Sequence, residues 1–178
     1  MTLWLVRHGD TEWSEQGRLC GWADPPLSPA GIEQAARLPS RLRHRRFDAA
    51  WSSDLARASE FARLSFGEAR PDVRLREIDF GDIEGKTWDE LDGATQAALL
   101  RFEGFTAPGG ESVETLRERV LGFLGELGPG TQLIFTHGGV IRLLQGLSGS
   151  GHSPRPGELV VLAWPLRGEK SLENGSLK

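Results

Sequence analysis

The sequence has a single cysteine, Cys20, among its 178 residues. One thiol excludes an internal disulfide framework and a zinc site built from cysteines, and no neighbouring residue marks Cys20 as reactive. No apolar stretch approaches the roughly 20 residues of a membrane-spanning helix. The apolar run at 3–6 is too short for a signal peptide, which predicts a cytoplasmic protein. The net charge of -4 gives no general attraction to nucleic acid or anionic membranes, so neither is expected as a partner.

The composition is that of an ordinary folded domain. Hydrophobic residues make up 38% of the chain and charged residues 26%, which is typical of globular proteins. A chain of 178 residues can bury a sizeable core, and it contains no linker, internal repeat or low-complexity segment. We therefore predict one domain over residues 1–178, with a polar tail that frays from about residue 167. The sequence leaves a homodimer open.

Apolar runs typical of strands alternate along the chain with amphipathic segments typical of helices. This alternation predicts an α/β protein with layers around a largely parallel sheet. We predict strands at 2–6, 49–51, 73–76, 132–135 and 159–164. We predict helices at 29–42, 55–66, 88–102, 113–127 and 140–147, with Gly93 as a place where the third can break.

Two of the predicted strands lead into a histidine. The run at 3–6 is followed by Arg7 and His8, and the run at 133–135 is followed, after one threonine, by His137. In α/β proteins, ligands bind in the crevice outside the carboxyl ends of the strands. An arginine presents a planar fork to an oxyanion, and a neutral imidazole offers a nucleophilic nitrogen. The two segments therefore indicate a phosphate site at one sheet edge.

Two further charged side chains fit such a site. Arg57 falls in the first turn of the predicted helix 55–66, where a cation opposes the helix dipole, so its position favours anion binding over stability. Glu77 follows the predicted strand 73–76 and can protonate a departing alkoxide. A phosphoryl group in transfer carries charge on three oxygens, so its site needs several fixed cations. Each residue alone is more often structural, but their joint occurrence favours phosphoryl transfer.

At this point the chain resembles the histidine phosphatase superfamily, which contains cofactor-dependent phosphoglycerate mutases and many small phosphatases. The most specific matches are RHGDT at 7–11 and FTHGGVIRLL at 135–144. Further matching stretches occur in the family's order at 5–35, 52–62, 75–91 and 108–120. The fold that this resemblance implies is phosphoglycerate mutase-like: a single-domain, three-layer sandwich with a mostly parallel central sheet and helices on both faces.

The resemblance also implies a role for each matching residue. His8 corresponds to the nucleophile that becomes phosphorylated, and Glu77 to the acid that protonates the leaving oxygen and then serves as base for water. Arg7, Arg57 and His137 correspond to the phosphate pocket. The family needs no metal, and we expect no other cofactor.

Three more positions are expected beside the substrate. The backbone at Gly138 corresponds to part of the phosphate pocket, and Thr11 corresponds to a threonine that supports it. Ser14 stands where many relatives carry asparagine. Because a hydroxyl is shorter than an amide, the phosphate contact at this position is lost or runs through water, and Ser14 stays a candidate only.

The implied activity is metal-independent hydrolysis of a small phosphate ester, either α-ribazole phosphate or a sugar or glycerate phosphate. The alternative is a cofactor-dependent phosphoglycerate mutase, because such mutases share these residues. They also carry extra cations and a long insertion after the acid, whereas the interval 78–107 here holds only Lys86 and Arg101 as cations. Hydrolysis is therefore favoured.

A third alternative is a phosphate-binding protein without catalysis. Relatives of that kind usually lose the nucleophile or the acid, and this chain keeps both.

Some of its tryptophans are candidates to line an apolar part of the pocket: Trp13, Trp22 and Trp88.

Overall fold

The computed structural model describes residues 1–148 and 153–165, and the tail predicted from residue 167 lies outside these ranges. Within them, five strands form one sheet: β1 (Thr2–Arg7), β2 (Ala49–Ser52), β3 (Arg70–Pro71), β4 (Thr131–Thr136) and β5 (Leu159–Ala163). The α-helices of the same ranges are α1 (Glu12–Glu15), α2 (Pro29–Arg37), α3 (Pro39–Leu42), α4 (Ala56–Ser65), α5 (Gly93–Arg101), α6 (Val113–Gly125) and α7 (Gly138–Leu147).

The sheet has the strand order β3-β2-β4-β1-β5. Four strands run parallel, and β5 pairs antiparallel with β1 at one edge. The long connections between parallel strands carry the helices, as parallel pairing requires. The predicted α/β fold, with a mostly parallel sheet and helices on both faces, is confirmed.

Alternation along the central strands divides the core between the two faces of the sheet. Leu3 and Leu5 of β1 belong to a hydrophobic cluster that includes residues of α6 and α7. Val6 of β1 and Phe135 of β4 belong to a second cluster, with residues of α2 and α4. Burying each of these large side chains stabilises the fold by about 1.5–3 kcal/mol. The two clusters make the protein a three-layer structure.

Two of the predicted helices are interrupted. The helix expected over 29–42 ends at Arg37 and a short one restarts at Pro39, because proline has no N–H to continue the hydrogen-bond ladder. The segment 88–102 breaks just before Gly93, close to the predicted position, into a 3₁₀ turn and α5. No helix in residues 1–148 and 153–165 has the length and apolar character to cross a membrane.

The strand predicted over 73–76 is wrong. Residues 73–75 form a 3₁₀ helix, and the edge strand β3 lies just before it. The alternating pattern of Val73 to Arg76 is typical of a strand, but side chains satisfy the carbonyls of residues 74–76. Thr136 donates its hydroxyl to the carbonyl of Leu75 at 2.7 Å, and Arg119 donates to those of Arg74 and Arg76.

Candidate active site

The two histidines predicted at strand ends meet at one edge of the sheet. Arg7 and Thr136 are direct partners in the β1–β4 register, so the residues after them are neighbours. The backbone N–H of His8 donates to the carbonyl of Thr136 at 3.0 Å. The rings of His8 and His137 have centroids 5.0 Å apart and planes inclined by 66°. Both side chains are buried.

The hydrogen bonds of His8 fix its tautomer. Its Nδ1 lies 2.7 Å from the carbonyl oxygen of Gly9, which can only accept, so Nδ1 carries the proton. The lone pair is therefore on Nε2, where the Nε–H of Arg57 lies at 3.3 Å. Burial, reinforced by the charges of Arg57 and Arg7, holds the pKa of His8 well below its usual value. The ring is neutral near pH 7, with a nucleophilic nitrogen available.

His137 has the opposite tautomer. Its Nδ1 lies 3.3 Å from Nη2 of Arg57, and because a guanidinium can only donate, the proton of His137 lies on Nε2. Burial, followed by the charge of Arg57, lowers the pKa of His137 well below its ordinary value. Its Nε2–H is buried and has no hydrogen-bond partner within the described ranges.

Arg7 supplies a second unsatisfied donor. Its Nη1 donates to the carbonyl of Pro154 at 2.6 Å, but its Nε–H is buried and unpartnered among residues 1–148 and 153–165. Buried donors without partners cost free energy, and such exceptions in a folded protein need an explanation. An oxyanion bound between Arg7 and His137 would satisfy both groups.

Arg57 is fully buried at the centre of this cluster. Besides the two histidines, its guanidinium donates to the carbonyls of Gly21 at 2.7 Å and Ala23 at 2.8 Å. Asp24 lies 3.3 Å from Nη1, and its other carboxylate oxygen accepts from the backbone N–H of Ala56 at 2.6 Å. Asp24 thereby caps the start of α4 and anchors the arginine. No sequence pattern signals this role, because Asp24 lies in a turn-rich loop 33 residues earlier.

Glu77 is buried and reaches the same edge from the loop after the 3₁₀ helix. Its Oε2 accepts from the backbone N–H of Gly139 at 2.9 Å, and its Oε1 from that of Ile78 at 2.9 Å. A Cβ atom at position 139 would overlap Oε1 of Glu77, so the second glycine after His137 is required for this approach.

The three secondary candidates lie around the same cleft. Gly138 begins α7 beside the Arg7 guanidinium, and a Cβ at this position would lie in van der Waals contact with Cζ, at 3.4 Å. Thr11 caps α1, accepting from the backbone N–H of Ser14 at 3.2 Å. The Ser14 hydroxyl donates to Asp10 at 2.8 Å and accepts from the backbone N–H of Thr11 at 2.9 Å. Ser14 thus has a local capping role as well as a place in the cleft wall.

The cleft has a volume of about 270 Å³ and continues beyond His8 into an apolar region. That region is lined by Leu19, Phe80, Trp88, Leu99, Leu100 and Phe102. Of the tryptophans proposed from the sequence, Trp88 lines the cleft, whereas Trp22 donates its ring N–H to the carbonyl of Glu77 at 2.9 Å. Cys20 also lines it, but burial raises the pKa of its thiol to about 11, so the thiol is protonated at neutral pH.

Arg142 lines this cleft, although the sequence analysis did not identify it as a candidate. Arg142 of α7 donates to the last carbonyls of α5, those of Leu99 at 3.0 Å and Leu100 at 2.6 Å. Its guanidinium also lies over the Phe102 ring, 4.5 Å from the centroid. Because these contacts join α5 to α7, the apolar wall is held against the helix that follows His137.

The buried histidines make the stability of the fold depend on pH. Because their pKa values are lowered on folding, the unfolded chain binds protons that the folded chain does not once the pH falls below about 6.5. This stabilisation is complete above that pH. Below it, we expect the free energy of unfolding to fall by about 1.4 kcal/mol per pH unit for each histidine.

Urea unfolding at pH 7.0 and 5.5 measures this effect. His137→Asn should lose less stability over the interval than the wild type, because one of the two titrating groups is gone. His44→Asn at an exposed position, with a φ of 66° that asparagine tolerates, is the matched control. Equal losses in the wild type and His137→Asn would contradict the assignment.

The mostly parallel sheet, with both histidines following adjacent strands at its carboxyl edge, defines a phosphoglycerate mutase-like fold. The chain belongs to the histidine phosphatase superfamily (branch 1), whose family model matches residues 3–153. This is a superfamily of enzymes, and the proteins similar to this chain are named both as mutases and as phosphatases.

Proteins named as mutases and a protein named as a phosphatase differ in how similar they are to this chain. A 2,3-bisphosphoglycerate-dependent phosphoglycerate mutase of Xanthobacter autotrophicus is 34% identical over 159 residues, covering 79% of this chain and 77% of the relative. A crystal structure of a phosphoglycerate mutase from Thermus thermophilus is 46% identical with a TM-score of 0.88, covering 94% and 95% of the two chains. A candidate alpha-ribazole-5'-P phosphatase of Escherichia coli is 28% identical with a TM-score of 0.77, covering 90% and 89%.

Proposed function

We propose that the protein is a metal-independent phosphomonoesterase that works through a phosphohistidine at His8. The observation that carries this proposal is the lone pair on His8 Nε2, which lies among buried cationic and N–H groups. Two of those groups, Nε of Arg7 and Nε2 of His137, are donors without partners in the described part of the chain. A phosphate ester would supply the oxygens that these donors lack, next to a neutral nucleophile.

In the first step, Nε2 of His8 releases its long hydrogen bond from Nε of Arg57 and attacks phosphorus, and the ester P–O bond breaks. The protonated Glu77 carboxyl gives its proton to the departing oxygen, so the product leaves as an alcohol. The positive charge that develops on the imidazole is relieved through Nδ1–H, which already donates to the carbonyl of Gly9. The guanidinium groups of Arg7 and Arg57 balance the charge on the phosphoryl oxygens.

In the second step, water attacks the phosphohistidine and gives a proton to the Glu77 carboxylate. The P–N bond breaks and its electron pair returns to Nε2 of His8. Inorganic phosphate leaves, and the site regains its neutral histidine and protonated glutamate. The backbone N–H groups of Gly139 and Ile78 hold the Glu77 carboxyl in place through both steps.

The walls of the cleft favour hydrolysis over the mutase reaction. A mutase must hold a second phosphate while the bisphosphate reorients, and this requires a second group of cations. Here the region beyond His8 is largely apolar, and the guanidinium groups of Arg18 and Arg142 at its edge already donate to backbone carbonyls. The names of several relatives keep the mutase as the second candidate.

The same walls favour a substrate whose alcohol part carries an apolar or aromatic group. Trp88 and Leu100 are large apolar side chains that stay 40% and 68% exposed, so a ligand can cover them. α-Ribazole phosphate, with its aromatic base, fits this preference better than a sugar or glycerate phosphate does. The name of the Escherichia coli neighbour supports the same substrate class.

Trp88→Ala tests this substrate preference. We expect the KM for phenyl phosphate to rise about tenfold, because the ring loses roughly 1.4 kcal/mol of apolar contact, while kcat/KM for glycerol phosphate stays within about twofold. Ile32→Ala, which removes an exposed apolar side chain of α2 outside the cleft, is the control. Equal changes for both substrates in Trp88→Ala would argue against an aromatic subsite.

A panel of phosphomonoesters assayed with a chelator present tests the activity itself. The panel includes phenyl phosphate, glycerol phosphate, and 3-phosphoglycerate with and without 2,3-bisphosphoglycerate. Release of inorganic phosphate that the chelator does not reduce is the expected result. Isomerisation of 3-phosphoglycerate without release would establish the mutase instead, and phosphate binding without any turnover would indicate a non-catalytic protein.

A further inference from the structure

Arg119, outside the cleft described above, uses every N–H of its guanidinium. Nε and Nη2 donate to the two carboxylate oxygens of Glu111 at 2.7 and 2.8 Å. Nη1 donates to the carbonyls of Arg74 at 2.8 Å and Arg76 at 2.7 Å. The second N–H of Nη2 donates to the carbonyl of Glu77 at 2.8 Å. One side chain of α6 thus binds the backbone of the segment 74–77, which ends at the proposed acid.

Two other side chains also donate hydrogen bonds to the backbone carbonyls of this segment. Thr136, next to His137, donates to the carbonyl of Leu75 at 2.7 Å. Trp22 donates its ring N–H to the carbonyl of Glu77 at 2.9 Å. The carbonyls of all four residues from 74 to 77 therefore accept from side chains, and Arg119 supplies three of these bonds. One guanidinium therefore makes most of the side-chain hydrogen bonds to the backbone at and just before Glu77.

Glu111 holds that guanidinium in turn. The side chains of Arg119 and Glu111 are only 16% and 8% exposed, and they form a two-pronged ion pair. Glu111 also accepts from the backbone N–H of Asp79 at 3.2 Å, on the other side of Glu77. The pair therefore contacts the chain both before and after the acid, which restricts where its carboxyl can lie.

The side chain of Arg74, on the same segment, is bound differently. Arg74 pairs with Asp72 and with Glu126, whose side chain is 68% exposed, and Arg74 reaches none of the carbonyls near Glu77 in the bonds described. A pair with an exposed partner, such as Arg74 with Glu126, contributes at most about 1 kcal/mol. Arg74 therefore offers a matched control: an arginine of the same segment with no direct hold on the acid.

We propose that Arg119, held by Glu111, is a positioning residue that sets the place of the Glu77 carboxyl for proton transfer to the leaving oxygen. This inference rests on the proposed function, because it assigns Glu77 the role of acid. A misplacement of about 1 Å can cost a positioned group roughly 100-fold in rate. The loss of kcat/KM appears only for substrates whose leaving oxygen needs a proton, because kcat/KM covers the steps up to release of the alcohol. The later step, in which Glu77 serves as base for water, is common to all substrates and affects kcat alone.

The leaving group separates this role from a merely structural one. p-Nitrophenolate is a weak base that departs without protonation, whereas the alkoxide of glycerol phosphate needs a proton. Arg119→Lys keeps the charge but has only three N–H donors on one nitrogen, so it cannot make the same five bonds. We expect kcat/KM for glycerol phosphate to fall about 100-fold and that for p-nitrophenyl phosphate to fall less than about threefold.

Two reference variants make the outcome decisive. Glu77→Gln should show the same selective loss, only larger, and Arg74→Lys should leave both substrates unchanged. If Glu77→Gln lowers kcat/KM equally for the two substrates, the assignment of the acid fails, and the proposal for Arg119 fails with it. If Glu77→Gln is selective but Arg119→Lys is not, only the positioning role is overturned.

A second variant covers the case in which Arg119→Lys does not fold. Glu111→Gln keeps the size of the side chain but weakens its hold on the guanidinium, and it leaves the three carbonyl bonds of Arg119 in place. We expect a smaller selective loss of kcat/KM, about tenfold for glycerol phosphate, with kcat/KM for p-nitrophenyl phosphate close to wild type. Equal losses for the two substrates in this variant would also overturn the proposal.

Discussion

His8→Ala is expected to lower the rate of phosphate release by at least about 10⁴-fold, because the variant has no nucleophile to form the covalent intermediate. The measurement is steady-state release of inorganic phosphate from phenyl phosphate and glycerol phosphate. His8→Ala should lose activity toward both substrates, since each must pass through the same phosphohistidine. His44→Asn, at an exposed position whose φ of 66° asparagine tolerates, is the control for the loss of an imidazole.

Phosphate binding separates the nucleophile from the rest of the site. In His8→Ala the groups that face the phosphate are otherwise retained, so inorganic phosphate should still bind, as titration calorimetry can show. The unpartnered donors of Arg7 and His137, identified within the described residues, remain available to it. Full turnover by His8→Ala would contradict the proposed mechanism, whereas loss of both turnover and phosphate binding would show that the substitution had disrupted the site.

Arg57→Lys is expected to lower kcat/KM about 100-fold or more, which corresponds to about 3 kcal/mol of transition-state stabilisation. A lysine ammonium cannot contact both histidines and also the carbonyls of Gly21 and Ala23, as the guanidinium does. The phosphoryl oxygens would then meet a displaced charge, and the loss should appear for every substrate, whatever its leaving group.

The effect of Arg57→Lys on the fold must be measured beside its effect on the rate. Arg57 also pairs with Asp24, so we expect some loss of stability in a urea unfolding curve. Arg37→Lys, on the exposed surface of α2, is the control, and its rate should equal that of the wild type. A wild-type rate in a folded Arg57→Lys protein would contradict a role for this guanidinium in the transition state.

The sequence predicted the centre of the site because that centre follows from strand geometry. Adjacent parallel strands end at the same edge, so the residues that follow β1 and β4 had to be neighbours once both strands were placed. The helix that contains Arg57 also identifies it as a candidate, because a cation in the first turn opposes the helix dipole. These predictions needed only the position of a residue within its own element.

The supporting residues could not be predicted in this way. Asp24 anchors Arg57 from a loop, and Arg119 holds Glu77 from a helix more than forty residues later in the chain. Both depend on which loops pack together, and neither falls in a local pattern. The wrong strand at 73–76 has the same origin, because the carbonyls that a sheet would have paired accept from Arg119 and Thr136.

The residues of the apolar wall could also be predicted only in part from the sequence. The sequence makes Trp88 a candidate, but it predicts Phe102 only as the end of a helix. In the structure, Phe102 has a φ of 67° at the end of α5 and lies against Arg142. A positive φ at a residue other than glycine is uncommon and is imposed by its surroundings. Only the tertiary structure could place this ring beside the phosphate site.

Trapping the covalent intermediate tests the account most directly. The protein would be mixed with a ³²P-labelled phosphomonoester, quenched within milliseconds in alkali, digested, and analysed by mass spectrometry. We predict an acid-labile, alkali-stable phosphate on the peptide that contains His8, which forms and decays at rates consistent with turnover. A phosphoryl group on any other residue, or turnover without any phosphoenzyme, would contradict the account.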